Sequence, residues 1–537
     1  MMEGNEKRQG MVGGEKEEKV EKKTEEREEV GKEKGAMFCP RSRRGEATKQ
    51  ASGPDQSSKN FVFRGEKIEE KKTEGEEKEE KDPRPIFKGL GTSSPEEVFS
   101  SLPTPAYVLD EEMLLHNARL LGEVSQRTGA RILLAQKAFS CFNLYDLLSP
   151  YAAGTEASGL FEARLGFEKM PGKEVHVFCG AYKEEEMDEL LLYADHVVVN
   201  TPGQLKRFGP RIKAAGKSLG LRINPEFSTQ EGHAIYDPCA PGSRLGTTRA
   251  LWDREMGEEE ISLLDGLHFH TLCEQGAEEL EVTLEAVFAR FGDILPKMKW
   301  INFGGGHHIT KEGYDLQILE KCIRKAQDIG LMVYLEPGEA WALNAGYLVT
   351  RVLDTFQNGD TNLAIVDASA ACHMPDVLEM PYVPPLYGRE EWGEEKEREE
   401  ERKEEGKKEE REKEEEKQQE VKRKEKTEKE EKKIEAKKEK KQEEREEIEK
   451  EREEKKIPIC LGGPTCLAGD VIGTYAFRKL PELGDLLLFG DMAIYTMCKN
   501  NTFNGMPLPP IYLFKKDGEL KELVSFGYED FVGRLGR

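Results

Sequence analysis

Eight times between residues 132 and 336, a short strand-like run is followed by, or closes on, a helical stretch. The strand-like runs lie at 132–136, 154–158, 175–179, 196–200, 219–224, 266–271, 300–303 and 332–336. Helical spacing of apolar residues covers 142–152, 160–169, 184–194, 203–215, 255–264, 277–290 and 316–329 between them. Alternation at this spacing implies parallel βαβ units, because each helix carries the chain back to start the next strand in the same direction. Eight units are the count of a closed (β/α)8 barrel, so the expected class is α/β. A doubly wound open sheet is the competing architecture, but it seldom needs eight units in a row.

The barrel domain is expected at 103–345. A strand at 107–110 and a helix at 111–127 precede its first repeat. After Ala345 the rhythm stops. Strands at 349–352, 363–366, 459–461, 486–489 and 510–514, divided by Gly, Pro and Asp, predict a second, mostly β domain over 346–537. The early strand at Tyr107 is a candidate to pair into it.

Two segments cannot contribute to either core. Residues 1–88 hold 22 acidic and 22 basic side chains with almost no apolar periodicity, so a disordered extension is expected. Residues 389–456 hold 31 acidic and 26 basic side chains and lack a coiled-coil seam. That tract reads as a tolerated insertion within the β domain. Without the two segments, 52 acidic side chains face 33 basic ones. An acidic folded part disfavours nucleic acid and anionic membrane as partners and favours approach of a cationic substrate. Ten cysteines without a C-x-x-C pair suggest a reduced, cytoplasmic protein. No apolar run reaches membrane-spanning length, and the opening residues carry no signal-peptide core.

Barrel enzymes build their chemistry at the carboxyl ends of the strands. Those ends present Lys137, Arg222, His270, the triplet Gly304-Gly305-Gly306 with His307 and His308, and Glu336. A lysine leaving a buried strand is costly unless it is paired or reacting, and desolvation makes it a good amine for an imine. Glycine amides can cradle a phosphate because no side chain blocks approach, although a tight turn alone also calls for glycine. A strand-end carboxylate can pair with a pyridine nitrogen, and a histidine can stack on the ring. Together these four features suit pyridoxal 5′-phosphate. No metal is expected, since adjacent histidines seldom ligate one ion. In the β domain, Cys466 sits in the turn Gly462-Gly-Pro-Thr-Cys466-Leu-Ala-Gly-Asp470 and can donate a proton; a small buried hydrophobe is the plainer reading.

These residues carry a resemblance. Ala135-Gln-Lys137-Ala-Phe, Gly154-Thr-Glu-Ala-Ser-Gly-Leu-Phe-Glu162, Gly266-Leu-His-Phe-His270-Thr-Leu-Cys-Glu274, Phe303-Gly-Gly-Gly-His-His308, Glu336-Pro-Gly-Glu339 and Gly463-Pro-Thr-Cys466 are similar to the alanine-racemase-fold decarboxylases of basic amino acids. That family includes ornithine and diaminopimelate decarboxylases, and the motifs best resemble its branch acting on carboxylated polyamines. The likeness runs from about Pro103 to the end, leaving out 389–456. It implies Lys137 as the Schiff-base lysine, His270 on the ring face, 304–306 at the phosphate and Glu336 at the pyridine nitrogen. It further implies Tyr495 near the phosphate and Cys466 as the proton donor, supplied by the partner subunit of a homodimer.

Two departures bear on the substrate. Relatives often place Arg after Glu-Pro-Gly, where this chain has Glu339. Ornithine decarboxylases follow the cysteine with Asp, where this chain has Leu467. A distal carboxylate and plain ornithine are both weakened. Glu339 and Asp367, and after them Glu274 and Asp470, become candidates for the amines of a longer cation. The expected reaction is decarboxylation of carboxynorspermidine or carboxyspermidine. A diaminopimelate- or ornithine-type decarboxylase is the alternative, and a non-catalytic, partner-binding homologue is a weaker one.

Overall fold

A computed structural model describes residues 98–230, 237–388 and 456–536. The expectations for 1–88 and for the charged tract up to residue 455 lie outside the described residues.

Eight parallel strands close into a barrel: β2 (Arg131–Ala135), β3 (Gly154–Ala157), β4 (Glu174–Phe178), β5 (His196–Val199), β6 (Ser218–Arg222), β7 (Gly266–His268), β8 (Trp300–Asn302) and β9 (Met332–Leu335). Side-chain alternation explains the two-layered packing. Ile132 and Leu134 of β2 join the main hydrophobic cluster, while Leu133 turns the other way and meets Val198, Trp300 and Tyr334. Trp300 dictates two of its neighbours. A Cβ at Gly220 or Gly266 would stand 2.4 or 2.0 Å from its ring, so only glycine leaves room. The indole N–H donates to Ser218 Oγ at 2.9 Å.

The helix Glu111–Thr128 shows how local chemistry sets an element. Asp110 caps it by accepting from the Met113 amide at 3.1 Å, two glutamates open the first turn, and Gly129 at φ 73° ends it. Leu114, Ala118, Leu121 and Val124 recur at helical spacing and are buried.

The second sheet has nine strands: β1 (Ala106–Asp110), β10 (Gly346–Asn358), β11 (Thr361–Val366), β12 (Leu386–Gly388), β13 (Ile457–Gly462), β14 (Val471–Phe477), β15 (Leu486–Phe489), β16 (Ile511–Phe514) and β17 (Leu520–Val524). β1 runs antiparallel to β10 and parallel to β16, so the first described strand lies inside this sheet.

Several expectations change. The helix read at 142–152 is a 3-10 turn followed by Tyr145–Leu148, and the one at 255–264 divides into Arg249–Glu255 and Glu258–Leu263. The strand at 349–352 is the inner part of the long β10, whose outer half is largely exposed. β12, β14 and β17 were not foreseen.

Candidate active site

Strand-end residues meet in one cavity of about 450 Å3 lined by Lys137, Arg222, His270, Glu274, Gly305, Gly306, His308, Glu336, Glu339 and Tyr495, with others. Lys137 follows β2 by two residues, and its Nζ lies 3.8 Å from Glu156 Oε2. Glu156 comes from β3 and is buried. Burial pushes its carboxyl up to about 8, with the Lys137 ammonium pulling the other way.

Glu336, just past β9, is buried and fully engaged. Asn302 Nδ2 donates to its Oε1 at 2.6 Å, and His268 Nε2 lies 3.1 Å from its Oε2. Burial alone would raise this carboxyl; His268 and then Lys137 outweigh burial and hold it below the usual carboxylate range. The group therefore stays anionic in a dry site. His270 is driven well below the ordinary imidazole range, first by burial and then by Lys137 and Arg222, so its ring is neutral. Arg222 stacks 4.6 Å over Phe178 and donates to the His270 carbonyl at 2.9 Å. Burial lowers its guanidinium to about 10.

The glycine triplet forms a bare loop. Gly304 and Gly306 have φ of 72° and 81°, a left-handed conformation that side chains resist. A Cβ at Gly306 would stand 2.0 Å from the Leu272 carbonyl oxygen. Among the described residues the Gly305 and Gly306 amides find no acceptor, so they remain available to a ligand. The next helix starts at Leu316, where the spacing predicts it, so the amides nearest the cavity belong to the loop itself.

Tyr495 lines the cavity with φ 57°, and its amide donates to the Ala138 carbonyl, tying it to the lysine turn. Glu274 and Glu339 face the same cavity. Burial first, then Glu339, raises the Glu274 carboxyl. Glu339 Oε2 lies 2.5 Å from His308 Nε2. Nearby, Asp491 is pushed up to about 6 by burial, with Glu339 adding to it.

The remaining candidates stand elsewhere. Asp367 is spent on its own surroundings, accepting from Thr104 and Thr350 hydroxyls and the Arg351 amide. Asp470 accepts from Thr465, Ser369 and the Ala371 amide, closing the loop that carries Cys466. Neither lines the cavity. Cys466 is exposed and also lies outside it.

Sequence reasoning missed Glu156, His268 and Asn302. His268 and Asn302 each precede a recognised residue, His270 and Gly304, by two positions, and the Gly304 amide donates to Asn302 Oδ1 at 2.8 Å. At β4 and β5, Glu174, His176 and His196 also cluster. The two imidazoles stack in parallel at 3.9 Å and 9°, which keeps their lone pairs from converging on one ion.

No family model matches the chain. It is 36% identical over 434 residues to the carboxynorspermidine/carboxyspermidine decarboxylase of Campylobacter jejuni, covering 81% of this chain and 98% of that protein. The chain belongs to the carboxynorspermidine/carboxyspermidine decarboxylase family. Membership makes it a carboxy-lyase. Within reach of this family stands carboxyaminopropylagmatine decarboxylase of Synechocystis, 34% identical over 439 residues, covering 81% and 96% of the two chains. The crystal structure of carboxynorspermidine decarboxylase from Campylobacter jejuni, complexed with norspermidine, matches with TM-score 0.63 at 35% identity, over 81% of this chain and all of that one. A diaminopimelate decarboxylase from Helicobacter pylori, complexed with L-lysine, shares the fold at TM-score 0.60 and 16% identity, over 82% and 98%.

Proposed function

We propose that this enzyme decarboxylates carboxynorspermidine or carboxyspermidine to norspermidine or spermidine in polyamine biosynthesis, with pyridoxal 5′-phosphate as cofactor. The observation that carries the substrate class is the pair Glu274 and Glu339 facing the same cavity as Lys137. Two carboxylates raise each other's cost unless a cation lies between them, and an amine chain supplies that cation.

The cavity fits the cofactor. Unclaimed amides at Gly305 and Gly306 suit its phosphate, Lys137 suits its carbonyl carbon, the anionic Glu336 suits its ring nitrogen and neutral His270 suits its face. Arg222 and Tyr495 complete the wall. When bound, that cofactor supplies an electron sink for the pair left on the substrate carbon as carbon dioxide departs.

The chain's own residues do the rest. Glu336 keeps its negative charge because Asn302 and His268 fix both oxygens. His270, uncharged, adds no repulsion toward Lys137. Cys466, exposed on its loop, delivers a proton into the cavity of a partner copy, so the working unit is a homodimer with shared sites. The nine described cysteines are free thiols, and no described helix is long and apolar enough to cross a membrane. Both features support a cytoplasmic enzyme.

The test is turnover of carboxynorspermidine, carboxyspermidine, carboxyaminopropylagmatine, diaminopimelate and ornithine by the purified protein. We expect the first two to give the highest kcat/KM. Preferred turnover of diaminopimelate or ornithine would overturn the reading.

A further inference from the structure

We infer that Asn504 is a positioning residue for protonation: it fixes where Cys466 Sγ stands on its loop. This rests on Cys466 as the proton donor. The thiol donates to Asn504 Oδ1 at 3.2 Å. Nothing else in the chemistry described so far uses Asn504.

The two groups share one mount, the segment 369–372. On the thiol side, Asp470 closes the Cys466 loop by accepting from Thr465 Oγ1 at 2.6 Å, Ser369 Oγ at 3.0 Å and the Ala371 amide at 3.3 Å. On the acceptor side, the Asn501 amide donates to the Cys372 carbonyl at 2.9 Å, and Asn501 Nδ2 donates to the Ala371 carbonyl at 2.7 Å. Asn501 Oδ1 accepts from the Phe503 amide at 2.9 Å, and Cys372 Sγ donates to the Phe503 carbonyl at 3.5 Å. Two surface turns, distant in sequence, are thus fixed to the same four residues. Asn504 itself adopts φ 61°, ψ 14°, a left-handed conformation that asparagine enters at lower cost than most residues.

An amide suits the task in both charge states. Its oxygen accepts from the thiol and so fixes the rotamer of the Cys466 side chain. In the transfer the S–H bond breaks and a C–H bond forms at that carbon, leaving a thiolate that regains a proton from water. A half-turn of the amide then offers Nδ2 to the thiolate.

The test uses the full-length enzyme with Asn504→Gly, Asn504→Asp and Cys466→Ser. Glycine keeps the left-handed backbone without strain, so it isolates loss of the amide. Two readouts are taken: kcat and KM for carboxynorspermidine, and the pH dependence of Cys466 alkylation by iodoacetamide in cofactor-free protein, resolved by peptide mass spectrometry. For Asn504→Gly, kcat should fall about tenfold with KM unchanged, as for loss of one hydrogen bond. The alkylation curve of Asn504→Asp should move to higher pH by about one unit, because a carboxylate then faces the thiol at hydrogen-bond distance. Both Asn504 variants matching wild type in both readouts, while Cys466→Ser loses activity, would overturn the proposal and leave the donor assignment standing. Full kcat in Cys466→Ser would overturn the donor assignment and the proposal together.

Discussion

Lys137 Nζ stands 3.8 Å from Glu156 Oε2, a buried oxygen with no hydrogen-bond partner among the described residues. Burial raises this carboxyl from 4.5 to about 8, against the pull of Lys137. The folded state therefore keeps a proton that the unfolded chain loses between those pH values. Stability from this group is fully present below pH 4.5 and is lost as pH rises through about 8. Glu156→Gln mimics the neutral form. Its Tm in cofactor-free protein should match wild type near pH 5 and exceed it near pH 9, by calorimetry. An equal difference at both pH values would refute the linkage.

Gly306→Ala should damage the cradle and the fold together. The left-handed backbone costs a side chain about 1–2 kcal/mol, and a Cβ there meets the Leu272 carbonyl oxygen at 2.0 Å. We expect a Tm lower by several degrees, and at least about tenfold weaker cofactor binding in a spectroscopic titration. Unchanged cofactor affinity would remove 304–306 from the phosphate site.

Glu339→Gln removes a charge that faces the cavity beside Glu274. A charge-assisted contact is worth about 1.5–3 kcal/mol, so kcat/KM for carboxynorspermidine should fall roughly ten- to a hundredfold. Cofactor binding should survive, because Lys137 and Glu336 are untouched. Glu339→Arg should abolish polyamine turnover. If Glu339→Gln turns over substrate like wild type, this acid serves only His308.

Cys466 lies outside the cavity of its own chain, and that gives a test of shared sites. Lys137→Ala and Cys466→Ala should each be inactive alone. Unfolded and refolded together, they should recover about a quarter of wild-type activity, since half the dimers are mixed and each has one intact site. No recovery would mean that each chain completes its own site.

The barrel was legible because strand-like runs alternate with helical spacing eight times, and several of them, such as Ile132-Leu-Leu-Ala135 and Val197-Val-Val199, are buried apolar runs. The β domain was only partly legible. β17, Leu520-Lys-Glu-Leu-Val, lies at a sheet edge with no alternation, and the outer half of β10 is exposed, so neither shows an apolar run. At the site, Lys137, His270 and Glu336 declared themselves by standing at strand ends. The engagement of Glu336 by His268 and Asn302 did not, because it depends on the approach of three strands. Asp367 shows the opposite failure. Its sequence context invited a binding role, and only tertiary contacts reveal that Thr104, Thr350 and Arg351 already claim its oxygens.

β1 pairs Tyr107 with Leu348 on one side and Ile511 on the other. During synthesis on the ribosome, this strand emerges long before either neighbour. The nascent chain must shelter two open edges while the whole barrel is made, then one edge until β16 appears. Emergence of β16, rather than completion of the barrel, thereby becomes the event that lets the molecule close. A prematurely terminated chain lacking β16 would keep β1 unpaired along one side, and should be met by chaperones or proteases instead of accumulating as a partly active enzyme.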